Sequence, residues 1–283
     1  MVKIISDSTC DLSAELIAQH DIDILPLHVV LGSEDYEDGR GITPDEIYQW
    51  SDATRQSPKT AACVLTDAVA LLKPYVKEGR EVVVFTLASG MSSTYNVLNM
   101  AVDQLDAAHL VTVIDSQSLS TGVGLQVIAA AEMAEKGATR QEIVAHIEAI
   151  RPLVRASFVV DTLTYLHRGG RCSGMAAMMG GALRLHPRIA VTDGKMSAGK
   201  KYRGKMDRVL LTYAQEMEEE LRTADPAHIF VTHSGCPEST IAPVKEWLES
   251  LGRFQQIHVT RAGSAISCHC GPGTLGVLYI AGN

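Results

Sequence analysis

A run of small and hydroxyl-bearing residues at 87–95 (LASGMSSTY) has the composition of an anion-binding turn. It follows an apolar run at 81–87 and opens a predicted helix from about 92 to 105. Backbone amides at a helix N-terminus lack partners within the helix. Together with the hydroxyls of Ser92 and Ser93 they form a site for an anion that needs no Lys or Arg. The alternative is that Ser92 only caps the helix.

A second polar cluster, SCHCGPGT at 267–274, precedes the last apolar run. Its Cys-His-Cys core suggests zinc, but three consecutive residues do not readily face one tetrahedral ion, and no second Cys-x-x-Cys pair exists. We therefore expect no metal. In a glycine-flanked loop, His269 is better suited to hydrogen-bond a ligand or to act as an acid or base. A purely structural histidine is the alternative.

Ser92 as nucleophile and His269 as base, oriented by Asp7 or Asp115, would make a serine-dependent acyl hydrolase or transferase. The nucleophile elbow of such enzymes reads Gly-x-Ser-x-Gly, and here Thr94 stands in place of the second glycine. This enzyme is the alternative to a binding protein. Asp7 comes directly after the first apolar run, and in a parallel sheet the carboxyl ends of the strands are where ligands bind. The alternative is that Asp7 only accepts hydrogen bonds from nearby backbone amides.

Other patterns indicate what the chain does not bind. The glycines at 122–127 (GVGLQV) lack the third glycine of a dinucleotide fingerprint, and no Walker sequence occurs. Positive charge concentrates at 167–171 and 195–208, either as a solvated face or as a docking surface for a phosphate-bearing partner. The methionine-rich segment 174–185 predicts a core helix or a flexible wall of an apolar site.

The composition excludes several classes of protein. With 46% hydrophobic residues in a chain of 283, a full core can form, so disorder is excluded. The net charge of −8 disfavours nonspecific binding to nucleic acid or to anionic membranes. No apolar stretch is long enough for a transmembrane helix. We expect a cytoplasmic protein, because scattered cysteines and an N-terminus that leads directly into a strand indicate neither a disulfide scaffold nor a signal peptide.

Strands and helices alternate in the first half of the chain. Helix starts are marked by capping boxes at 43–46 and 139–142. Strands are predicted at 2–6, 22–31, 81–87 and 110–115, and helices at 13–20, 43–53, 66–78, 92–105, 118–136 and 139–150. This order predicts a parallel sheet covered by helices on both faces.

After Pro152 the order changes. Asp193-Gly194 joins two apolar runs and predicts a hairpin. Strands are predicted at 156–161, 188–192, 196–202, 228–233, 256–260 and 274–280, and helices near 175–184, 204–223 and 237–251. We therefore expect a mixed sheet with helices mainly on one side, and we divide the chain into domains 1–155 and 156–283.

Taken in order, several segments resemble the DegV family, the bacterial fatty-acid-binding proteins of the FakB type. They are ISDST at 5–9, LPL at 25–27, SGMSSTY at 89–95, DS at 115–116, GR at 170–171 and HCGPGTLG at 269–276. Each segment is short, but the ordered set spans essentially the whole chain.

The resemblance implies a two-domain α/β fold, with an N-terminal three-layer α/β/α parallel sheet and a C-terminal two-layer mixed sheet with helices. One long-chain fatty acid would lie in a tunnel between them, with Thr60, Ser92 and His269 at its carboxylate. The family presents this carboxylate to a separate fatty acid kinase, which makes the acyl phosphate. The resemblance thus implies a carrier without catalytic residues or a cofactor. Arg171 matches the family's Gly-Arg pair, Arg203 matches a basic position linked to kinase docking, and both are predicted to bind the partner.

The sequence departs from the family at two of these positions. Thr60 is followed by Ala-Ala-Cys at 61–63, where the family commonly has Ser-Gln-Pro, so its turn is the least certain part of the predicted site. Ser93 stands where many relatives have glycine, which leaves open which serine meets the ligand. Ser92 is the preferred one.

Overall fold

The computed structural model describes residues 1–173 and 185–282. Its first sheet contains four parallel strands in the order β2-β1-β6-β7, with Ile5 of β1 opposite Val84 of β6. The strands are β1 Lys3–Asp7, β2 Asp23–Leu25, β6 Val82–Thr86 and β7 Val111–Asp115. β1 and β6 are buried along their whole length, as expected for a parallel sheet with both faces covered.

Helices cover both faces of this sheet. Ile5 and Val84 pack with Leu72 and Leu98 of α3 and α4, whereas Ile4 and Phe85 pack on the opposite face. The helices are α1 Ala14–Gln19, α3 Leu65–Lys77, α4 Thr94–Gln104, α5 Thr121–Glu135 and α6 Arg140–Ile150. The predicted three-layer arrangement is confirmed.

A small antiparallel sheet and one helix lie between these elements. The sheet has the order β4-β3-β5, with β3 His28–Leu31, β4 Glu34–Glu37 and β5 Lys59–Ala61, and α2 Pro44–Thr54 lies between β4 and β5 in the chain. The prediction of one strand over 22–31 was wrong. Pro26 separates β2 from β3 because proline has no N–H with which to continue a ladder.

The second sheet is mixed and has seven strands in the order β13-β12-β14-β8-β10-β11-β9. They are β8 Val154–Val159, β9 Cys172–Ser173, β10 Leu185–Thr192, β11 Lys195–Arg203, β12 His228–Ser234, β13 Gln256–Arg261 and β14 Thr274–Ile280. β10 and β11 form the predicted hairpin around 193–194. The predicted helix over 204–223 is instead two helices, and the helices that pack on this sheet are α8 Met206–Gln215, α9 Glu218–Thr223 and α10 Glu238–Ser250.

Helix α5 packs between the two sheets. Val123 and Val127 share one hydrophobic cluster with Phe85 of the first sheet and with Phe230 and Leu278 of the second. This explains why α5 is apolar nearly all the way round rather than along one stripe. Among the helices of the described ranges, none has the length and apolar character needed to cross a bilayer.

Two short helices were not predicted. They are α7 Thr164–Gly169 and α11 Ser264–Cys270. The expectation that His269 lies in a loop was therefore wrong, since it is in the last turn of α11. The predicted helix near 175–184 and the methionine-rich segment lie outside the described residues, apart from Leu185 at the start of β10.

Candidate functional site

The interior holds a cavity of about 310 Å³, at the lower end of the range of ligand pockets, roughly 300–1,000 Å³. Thr9, Leu87 and Leu119 reach it from the segments that follow β1, β6 and β7, the carboxyl ends where α/β sheets bind ligands. Thr232 and Leu278 reach it from the second sheet. The larger apolar side chains of the wall are mostly aliphatic: Leu27, Leu87, Met91, Leu119, Phe158, Leu166, Met196, Ile266 and Leu278.

Thr60 and His269 meet at this cavity. Thr60 lies on β5 opposite Val29, and His269 lies 209 positions further along the chain, in α11. The distance from Thr60 Oγ1 to His269 Nε2 is 2.8 Å, and both residues line the cavity. The Ala-Ala-Cys sequence after Thr60 therefore does not turn its hydroxyl away from the histidine.

His269 is held neutral by its surroundings. Burial, and to a lesser extent the positive charge of Arg171, lower the pKa of His269 to about 4. The other ring nitrogen, Nδ1, faces the backbone of Gly169, where an added Cβ would lie 2.3 Å away. Only glycine leaves room for the ring at this position.

The two predicted serines also line the cavity, at the start of α4. Ser92 Oγ accepts a hydrogen bond from Thr94 N at 3.2 Å and lies 2.9 Å from Thr94 Oγ1. Ser93 is the exposed N-cap residue, and its side chain makes no capping hydrogen bond. Ser92 thus organises the start of the helix, while the Ser93 hydroxyl is not used in capping it.

The two predicted partner-binding arginines lie in different places. Arg171 is exposed, lines the cavity, and donates from Nη1 to Gly169 O at 2.6 Å. Arg203 is exposed at the end of β11, opposite Leu185, and is not among the residues that line the cavity. Arg171 is therefore close enough to the cavity to affect its electrostatics, whereas Arg203 belongs to the outer surface.

Asp7 organises the loops behind the cavity. Its carboxylate accepts hydrogen bonds from Thr9 N at 3.1 Å, from Thr9 Oγ1 at 2.6 Å and from Leu87 N at 2.8 Å. Burial raises the pKa of Asp7 to about 6. These contacts agree with the interpretation that Asp7 accepts hydrogen bonds from nearby backbone amides.

Two further acidic residues, which the sequence analysis missed, hold helix α11. Asp11 Oδ1 accepts from Gly263 N at 2.8 Å, and Asp38 Oδ1 accepts from Ala265 N at 3.1 Å. Gly263 has no side chain with which to cap the helix, so these carboxylates from distant parts of the chain take that role. Asp11 lies two residues past the polar segment 6–9, and this proximity is the only signal in the sequence.

The hydrogen bonds do not assemble a nucleophile–base pair. Ser92 is paired with Thr94, His269 Nε2 is paired with Thr60, and the Asp115 carboxylate accepts from Ser89. This geometry gives the hydrolase alternative no support. Within residues 1–173 and 185–282, no cluster of three or more His, Cys, Asp or Glu side chains is arranged to hold a metal ion.

The fold and the cavity define a class: α/β proteins with a parallel and a mixed sheet and a mostly aliphatic interior site. The model of the DegV family, whose members are described as uncharacterised proteins, matches residues 1–282, and the chain belongs to this family.

Relatives and solved structures agree with this assignment. A DegV domain-containing protein of Clostridium perfringens is 31% identical over 279 residues, covering 99% of this chain and 98% of the relative. A fatty-acid-binding DegV family protein of Thermus thermophilus has a TM-score of 0.91 at 26% identity, with 99% of each chain covered. A stearic-acid-binding protein of Eubacterium ventriosum has a TM-score of 0.87 at 28% identity, covering 99% of this chain and 98% of the other.

Proposed function

We propose that this protein binds one long-chain fatty acid in its interior cavity and presents the carboxylate to a separate fatty acid kinase, without catalysing a reaction itself. The observation that carries the proposal is a mostly aliphatic cavity lined by a hydroxyl–imidazole pair, Thr60 and His269. Structural relatives described as fatty-acid-binding and stearic-acid-binding proteins support the ligand class.

The tail supplies most of the affinity in this proposal. Burying a methylene contributes about 0.8 kcal/mol, so a long acyl chain contributes roughly 10 kcal/mol. Each hydrogen bond to the carboxylate adds about 1.5–3 kcal/mol. The polar end therefore decides the direction in which the chain is bound, and the aliphatic walls decide how tightly.

The carboxylate is held by hydroxyls rather than by an ion pair. A proton on Nε2 lets neutral His269 donate to Thr60 Oγ1 and leaves the Thr60 hydrogen free for a carboxylate oxygen. The opposite tautomer would consume that hydrogen and bury an unpaired N–H against Gly169. Ser92 and Ser93, at the N-terminus of α4, are the further head-group donors.

We further propose that the ligand lies between domains 1–155 and 156–283. In support, every strand of the first sheet precedes residue 116, and the seven-stranded sheet begins with Val154. Arg171, at the cavity, and Arg203, on the outer surface, are the proposed contacts of the kinase. The cytoplasm is the proposed location, since the kinase reaction consumes ATP.

The ligand proposal is tested on protein purified from a bacterial host. Denaturing extraction and mass spectrometry should recover one fatty acid per chain. Recovery of no fatty acid, together with failure to take up added octadecanoic acid, would refute the proposal.

The kinase step is tested by adding a bacterial fatty acid kinase and ATP to the loaded protein, with hydroxylamine present to trap acyl phosphate as the hydroxamate. If the protein binds lipid but no hydroxamate forms, the proposed fatty-acid binding stands and the proposed presentation to a kinase is refuted. Turnover of acyl esters that is lost in Ser92→Ala would favour the hydrolase instead.

A further inference from the structure

One face of α11 forms a side of the cavity along its length. Within α11 the lining residues Ala265, Ile266, His269 and Cys270 have the spacing of a single helix face, and Ala262 lines the cavity just before the helix. The cavity therefore extends along the helix axis. His269 lies at the C-terminal end of this face, and Ala262 lies just before the N-terminal end.

Two buried hydroxyls lie at the end opposite His269. Ser120 donates from Oγ to Asp11 Oδ2 at 2.5 Å, and the other oxygen of Asp11 accepts from Gly263 N at 2.8 Å. Thr232 directly precedes His233, whose carbonyl accepts from the N–H of Ala262 at 2.9 Å. Both hydroxyl-bearing residues line the cavity, and we call them the distal hydroxyls.

The distal hydroxyls are shielded from solvent. Ser120 is 4% exposed and Thr232 is 6% exposed, so water outside the protein does not solvate them. Thr232 Oγ1 lies 2.6 Å from Thr121 Oγ1 and 3.0 Å from Thr260 Oγ1. A hydroxyl has one donor hydrogen and two acceptor lone pairs, so both distal hydroxyls keep capacity for one more partner. An unsubstituted chain would not supply that partner.

The position of the distal hydroxyls along a bound acyl chain can be estimated from the geometry of α11 and the two residues before it. Five helical steps separate Ser264 from His269, about 7.5 Å at 1.5 Å per residue, and the two extended steps from Ala262 to Ser264 add at most about 7 Å. An extended chain advances about 1.2 Å per bond, since a residue of three bonds spans at most about 3.6 Å. The distal hydroxyls therefore lie about six to twelve carbons from a carboxylate bound beside His269.

We propose, on the basis of the proposed function, that the cavity prefers acyl chains that carry a hydroxyl near their middle, about six to twelve carbons from the carboxylate. Ser120 and Thr232 are the specificity-determining residues. A hydroxyl is the group that suits them, because it both donates and accepts. The same hydroxyl at the far end of the chain would be buried without these partners.

The experiment uses the purified protein and an equimolar mixture of octadecanoic, 10-hydroxyoctadecanoic and 18-hydroxyoctadecanoic acids in excess. After exchange and re-isolation, the bound acids are quantified by mass spectrometry. The 10-hydroxy acid should exceed the 18-hydroxy acid by about tenfold in the bound fraction. Equal uptake of the two isomers, with octadecanoic acid also bound, would overturn this inference and leave the proposed function intact. Uptake of none of the three acids would overturn the proposed function itself.

Variants identify the residues responsible. Thr232→Val and Ser120→Ala each remove one distal hydroxyl and should reduce the isomer preference to about twofold. Thr240→Val removes a buried hydroxyl in α10 that does not line the cavity, and it should keep the tenfold preference. A full preference in both distal variants would overturn the assignment. The isomer ratio of the unchanged protein tests the ligand class even if a variant does not fold.

Discussion

Replacing His269 by alanine tests the head-group geometry directly. The substitution removes the ring whose Nε2 lies 2.8 Å from Thr60 Oγ1, but it leaves the aliphatic walls unchanged. The Thr60 hydroxyl then loses the partner that aims it at the carboxylate. Since a hydrogen bond to a charged group contributes about 1.5–3 kcal/mol, we expect a loss of roughly 1.5 kcal/mol, or about tenfold in the Kd of a long-chain fatty acid.

The assay compares two ligands, because truncation of a buried ring also leaves a void. A displacement titration is carried out with hexadecanoic acid and with its methyl ester, which has the same tail and no carboxylate. The variant should bind the acid about tenfold more weakly and the ester less than twofold more weakly. His146→Ala, on the exposed face of α6, is the matched control and should change neither affinity.

Equal weakening of acid and ester would show that the void, and not the hydrogen bond, accounts for the effect. Unchanged affinity for both ligands would remove His269 from the site. A thermal unfolding curve for each variant separates these results from a loss of the fold.

Three further outcomes are expected. Gly169→Ala should weaken fatty-acid binding about tenfold in the same titration, because an added Cβ lies 2.3 Å from Nδ1 of His269 and displaces the ring. The free energy of unfolding should fall as pH rises from about 4 to 8, measured by urea unfolding: burial raises the pKa of Asp11 from 3.8 to about 8, so in this range the native state binds a proton that the unfolded chain releases. Arg203→Glu should abolish acyl-phosphate formation with the kinase without changing lipid affinity. The control Lys73→Glu, at an exposed position of α3, should change neither acyl-phosphate formation nor lipid affinity.

Each of these expectations has a result that contradicts it. Gly199→Ala, with its nearest neighbour at 3.7 Å, is the control for the glycine, and equal effects of both substitutions would exclude the proposed clash. For the pH dependence, Asp11→Asn should flatten the slope, and an unchanged slope would assign it to other groups. For Arg203, a variant that loses lipid as well as phosphorylation would show a structural role rather than a docking role.

Local signals predict the elements that local interactions build. The capping boxes at 43–46 and 139–142 are both formed, with the threonine side chain accepting from the glutamate N–H and the glutamate accepting from the threonine N–H. Their helices consequently begin where the sequence predicts. Buried strands such as β1 and β6 are equally clear, because an unbroken apolar run has no other stable place than the interior.

Helix α11 shows what local signals do not contain. Its N-cap is Gly263, its length is seven residues, and Gly-Pro-Gly follows it, so the sequence reads as a loop. The backbone N–H groups at its start donate to Asp11 and Asp38, which lie more than 220 positions away in the sequence. Such partners become visible only when the chain is folded. The sequence indicates Thr60, Ser92 and His269 as site residues, but it does not indicate the carboxylates that hold the helix of His269.

The neutral state of His269 bears on the proposed carrier role. At pH 7 a histidine with its pKa lowered to about 4 bears no charge, so a carboxylate beside it would meet hydroxyls and one neutral imidazole. A buried ion pair would hold one protonation state strongly and would be costly to break. Under the proposed function, hydroxyl partners would instead fix the direction of the chain while the aliphatic walls provide the affinity. One carboxylate oxygen would then stay reactive towards a phosphoryl group, and the exposed Arg171, which lines the cavity, would contact the kinase.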